Sequence, residues 1–183
     1  MGFFQDIYKK ARDALISPKE FFKSVKKEKG FRVSFLYYAI LSLISVIGSL
    51  IAISFNLPIL ESSPSGLFGI GGVFINYIIS LVAIFITALL THAILFKGFL
   101  KGKGDYATSF RLLVYSYTPI LFLGWIKYIS IIADIYSLYL LYEGMQILHG
   151  ISERSAKIWA IILAILFVGI ILFFTLAGFF KIF

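Results

Sequence analysis

The chain has 183 residues, 60% of them hydrophobic, and its mean hydropathy is +0.96, more than a soluble domain of this length can bury. The excess apolar surface calls for lipid. Seventeen Lys and Arg stand against nine Asp and Glu, and cysteine is absent, which excludes disulfide frameworks, cysteine metal sites and thiol catalysis. With only four prolines and no acidic or Ser/Pro-rich tract, the polar remainder is short.

The first fifteen residues, MGFFQDIYKKARDAL, carry Lys9, Lys10 and Arg12 among apolar positions. They lack the unbroken apolar core and small-residue cleavage site of a signal peptide, so the N-terminus reads as retained. Phe3, Phe4, Ile7, Tyr8, Ala11, Ala14 and Leu15 recur at helical spacing and leave Lys9, Lys10, Arg12 and Asp13 opposite. Ser17-Pro18-Lys19-Glu20 then predicts a new helix start, a capping box with proline in the first helical position, followed by Phe21, Phe22 and Val25 on one side. Residues 1–31 therefore read as two basic amphipathic helices. Aromatics facing acyl chains and lysines facing anionic headgroups fit a helix lying on the inner leaflet. On this reading Phe3, Phe4, Lys9, Lys10, Arg12, Phe21 and Phe22 touch the membrane surface or a protein partner; otherwise the lysines only enforce topology.

Residues 32–183 hold five apolar stretches long enough to cross ~30 Å of hydrocarbon, at about 33–55, 73–96, 106–125, 127–148 and 158–180. The predicted fold is an all-α five-helix membrane bundle. Pro58, Pro64 and clustered Ser and Gly mark the first loop, and the glycines from Gly66 to Gly72 lack the Lys-Ser/Thr pair of a phosphate loop. The third and fourth stretches run almost together, so the chain must reverse near Gly124. Pro119 should kink the third. Gly150 is placed to end the fourth as a left-handed cap and Ser152 to begin the fifth. Small residues at helical spacing (Ser42, Ser45, Ser49 and Ala52; Ala160 and Ala164) predict close packing. Fifteen of the seventeen Lys and Arg fall before the first stretch or in the second and fourth connections, leaving only Lys127 and Lys181 opposite. The positive-inside rule then places the N-terminus in the cytosol and the C-terminus outside.

Three local patterns, ALISPKEFFKSV before the first stretch, YSYTP (Tyr115 to Pro119) and ILHGISERSAKIW (Ile147 to Trp159), together with the layout resemble the Yip family. Its five-span eukaryotic members interact with Rab GTPases and act in vesicle traffic. The matching motif residues are Tyr115, Tyr117, Pro119 and Gly150. Ser116 stands where the family's eukaryotic pattern has glycine, and the DLYGP-type motif is not legible, which resembles a distant, prokaryotic-type member in a cell membrane.

Ionisable groups inside a span are costly and mark function until a partner accounts for them. Arg111 and Glu143 each lie about 7.5 Å from the cytosolic ends of adjacent antiparallel spans, which predicts an ion pair. Arg111, Tyr115 and Thr118 would form one polar stripe, and Tyr136, Tyr139, Glu143 and Gln146 the facing one. His92 and His149 fall at similar depth, so Arg111, Glu143, Tyr115, Tyr139, His92 and His149 form an expected cytosolic-side cluster. Asp134 lies on another face, with Lys127 as its expected partner. The cluster reads either as interhelical glue or as a relay for protons, cations or a small solute. Its carboxylate and histidines lack the spacing of zinc motifs, and no nucleophile, base and orienting acid assemble, so neither metal, cofactor, nucleic acid nor enzymatic chemistry is expected. The expected function is a non-enzymatic membrane organiser or adaptor that engages anionic headgroups, a cytosolic or membrane protein, or its own copies; the alternative is a small channel or transporter built on the polar cluster.

Overall fold

The computed structural model describes residues 2–55, 70–97, 100–126 and 128–180, the side chains of 3, 70, 94–97, 167 and 170–180 excepted. The expected loop with Pro58, Pro64, Gly66 and Gly69, the Phe3 side chain, Lys127 and Lys181 lie outside the described residues. Among those described the chain is all-α, with α1 Phe3–Ile16, α2 Pro18–Val25, α3 Arg32–Ser54, α4 Ile70–Lys97, α5 Tyr106–Ser116, α6 Thr118–Leu123, α7 Ile129–His149 and α8 Glu153–Phe180.

By length and composition, α3 and residues Gly71–Ala93 of α4 are able to cross a membrane. Along α4, Phe74, Ile78, Val82, Ile86 and Leu89 are all at least half exposed, an apolar face that acyl chains would cover. The opposite faces build the core. At its centre stands α5, buried from Thr108 to Ser116 and packed by α3, α4 and α7.

The third stretch is two helices rather than one kinked helix. Pro119 has no N–H to give the Tyr115 carbonyl, which accepts instead from Thr118 Oγ1 at 2.7 Å. The chain breaks at Tyr117 and Pro119 sits in the first turn of α6. At the other end of the hairpin, Gly150 adopts φ 63°, ψ 29°, the left-handed cap that its sequence position predicts, and the Ser155 N–H donates to Ser152 Oγ at 3.3 Å.

The largest departure concerns the N-terminal pair. Ile7, Ala11 and Ala14 of α1 and Phe21, Phe22 and Val25 of α2 are buried within the protein core, and α2 packs along α7. Gly144 makes this possible: a Cβ there would lie 2.4 Å from Leu112 Cδ1 and 2.9 Å from Phe22 Cζ. The predicted capping box is absent. Ser17 makes no side-chain cap bond, and its N–H already donates to the Asp13 carbonyl at 2.9 Å, so Glu20 has no free donor to reach back to.

Candidate functional site

Arg111 and Tyr115 of α5 and Tyr136 and Glu143 of α7 meet the N-terminal segment rather than each other. Tyr115, fully buried, stacks edge-on to Phe21 and Tyr37 with ring centroids 5.0 Å away, and its hydroxyl donates to Glu28 Oε2 at 2.8 Å. The other oxygen of Glu28 accepts from Lys10 Nζ at 2.7 Å. One carboxylate thereby ties α1 to the core of α5. Tyr136 donates to the Leu15 carbonyl, and Glu143 is 3.6 Å from Lys19 with Tyr139 beside it. Arg111 donates to Thr108 Oγ1 at 3.0 Å and reaches toward the Val25 carbonyl at 3.4 Å. The expected Arg111–Glu143 ion pair does not form: the N-terminal segment supplies each residue with a nearer group of its own.

A second junction joins three helices. Ser109 Oγ lies 3.0 Å from His92 Nδ1 and 3.3 Å from His149 Nε2, bringing together α4, α5 and α7. Its chemistry is that of a buried hydrogen-bond bridge. Among the described residues no three His, Asp or Glu side chains converge as a metal site.

Below it, Asp105 caps α5, accepting from the Thr108 N–H at 2.8 Å and Oγ1 at 2.6 Å. The Thr108 hydroxyl bond, more than any other influence, holds the Asp105 carboxyl below its ordinary pKa. A depressed folded-state pKa means this contribution is complete above the ordinary carboxylate range and lost as pH falls through the lowered value. Asp105→Ala is expected to cost about 1 kcal/mol. Asp105→Asn should keep the cap and lose that acid-side dependence; melting across a pH series checks both, and an unaltered slope in the Asn variant would contradict the assignment.

Of the residues expected on the membrane surface or a partner, Phe4, Lys9 and Arg12 are exposed. Phe21 and Phe22 are not, being 4% and 0% exposed inside the protein, and Lys10 turns toward Glu28. An amphipathic pattern specifies an apolar face without saying whether lipid or protein covers it. Sequence reasoning missed Glu28, Lys19, Thr108 and Ser109. Glu28 offered one signal, an acid amid five lysines and an arginine between Lys19 and Arg32.

Tyr115, Tyr117 and Pro119 surround the helix break, and Gly150 forms the turn into α8. A model of the Yip1 domain matches residues 12–176, from within α1 to within α8. The chain belongs to the Yip1 domain family. It is a membrane protein of that family, and the Yip1 match takes in α2 as well as the apolar helices. No curated protein and no solved structure matches it.

Proposed function

We propose that this Yip1-family chain is a non-enzymatic membrane organiser or adaptor. Five crossings place its N-terminus in the cytosol and its C-terminus outside, in a cell membrane of prokaryotic type. The observation that carries this reading is the way the N-terminal pair is held. Its apolar side is locked to the bundle, while Lys9, Arg12, Lys19, Lys23, Lys26, Lys27, Lys29 and Arg32 are all exposed. Exposed Phe4, Tyr8 and Ile16 lie among the first of these cations. Near an anionic leaflet each such cation contributes about 1 kcal/mol of attraction, and a fixed array presents them at little ordering cost. An acidic protein surface would be met by the same array. Engagement of Arg111, Tyr115 and Glu143 by the N-terminal segment favours this reading over a solute path through the polar seam.

The test is cross-linking in the native membrane with affinity recovery of the wild type and of a variant with the exposed α2 and following lysines changed to glutamine. The expected result is a near-stoichiometric partner, protein or anionic lipid, that the variant loses. Recovery of the chain alone from both would count against the organiser reading and for the channel or transporter.

A further inference from the structure

At the break between α5 and α6, facing α7, the bundle holds a cavity of about 100 Å³ lined by Ser116, Tyr117, Asp134 and Ser137 with apolar neighbours. Ser116 and Ser137 are 1% and 5% exposed, and neither hydroxyl has a hydrogen-bond partner among the described residues. Buried polar atoms of this kind are rare because an unmade hydrogen bond is costly, so two beside one cavity call for a ligand. Asp134 is half-buried in the same wall and has no ion-pair partner among the described residues. An acid within a membrane-spanning helix is a functional group by default.

The chemistry of the lining selects the ligand class. Among the described residues its polar side-chain atoms are carboxylate and hydroxyl oxygens, a set that suits hard alkali and alkaline-earth cations. A single carboxylate balances a single positive charge, which favours a monovalent ion. The break between α5 and α6 at Tyr117 lies beside the same space. Interrupted membrane helices bind coupling ions in this way. The volume accommodates one such ion with a few waters.

We propose that this cavity is a binding site for one monovalent alkali cation, held by the Asp134 carboxylate and the Ser116 and Ser137 hydroxyls. The site stands apart from the organiser reading and depends on none of its residues. The cation joins the hairpin halves, α5–α6 and α7, and so stabilises the folded bundle.

The experiment is thermal unfolding of the purified full-length protein in sodium, potassium and choline chloride at matched ionic strength. The melting temperature should rise saturably with sodium or potassium and not with choline. Asp134→Asn should abolish the rise, and Ser137→Ala and Ser116→Ala should each weaken apparent affinity about tenfold. If the Asn variant fails to fold, the two serine variants carry the test. Equal melting in all three salts, or a wild-type response in these variants, would overturn the proposal. So would a dependence on pH alone, which would make the ligand a proton, or a cation response that appears only in Lys127→Gln, which would make that lysine the counter-charge.

Discussion

Replacing Phe22 by alanine is expected to lower the stability of the whole bundle by about 3–5 kcal/mol, the range for removing a fully buried aromatic ring and leaving its cavity. The ring is 0% exposed, lies edge-on to Phe21 with centroids 5.6 Å apart, and occupies the space that Gly144 leaves between α2 and α7. Nothing in its surroundings collapses easily into that volume, because Leu112 on the far side is itself fully buried. Unfolding in mixed micelles by SDS titration measures the loss. A cost near that of an exposed aromatic such as Tyr8 would mean that α2 is not docked.

The second large effect falls on Glu28. Glu28→Ala removes the acceptor of the buried Tyr115 hydroxyl and leaves Lys10 only its longer pairing with Asp6 at 3.6 Å. The Glu28 side chain retains 20% of its exposure, so the expected cost is about 2–3 kcal/mol, less than for a wholly buried pair. A double-mutant cycle with Tyr115→Phe separates the bond from the fold. Coupling above about 0.5 kcal/mol is expected for groups in direct contact, whereas additive costs would show that the two do not act together.

That the chain is helical was legible because hydropathy and length are local properties. The helices Arg32–Ser54 and Ile129–His149 fall on the apolar stretches at 33–55 and 127–148, whereas α8 begins at Glu153, five residues before 158. The Gly150 cap and the Ser152 start were equally local, each set by one residue's own backbone or hydroxyl. What covers an amphipathic face is not local. The spacing of Phe21, Phe22 and Val25 is the same whether acyl chains or α7 lie above it, and only Gly144, more than a hundred residues away, decides between them.

The polar seam was misjudged for a related reason. Equal depth in adjacent spans made Arg111 and Glu143 natural partners, but depth says nothing of what lies between two helices. Here the segment around Leu15, Lys19, Val25 and Glu28 lies against both stripes and meets their hydrogen bonds. The break at Tyr117 also exceeded the expected kink, because Thr118 Oγ1 replaces the donor that Pro119 lacks and lets a new helix begin.

The docking of the N-terminal pair on the bundle, with its cations outward, is tested most directly by thiol labelling in native membranes. The chain has no cysteine, so single thiols at Ala14, Lys23 and Ile47 report without background. Ala14 is 0% exposed, Lys23 is exposed on α2, and Ile47 is 56% exposed on α3. The account predicts that Lys23→Cys reacts with a membrane-impermeant maleimide from the cytosolic side, that Ile47→Cys reacts only with a lipid-soluble one, and that Ala14→Cys reacts with neither until the protein is unfolded. Labelling of Ala14→Cys by the lipid-soluble reagent at the rate of Ile47→Cys would place α1 on the leaflet instead and contradict the account.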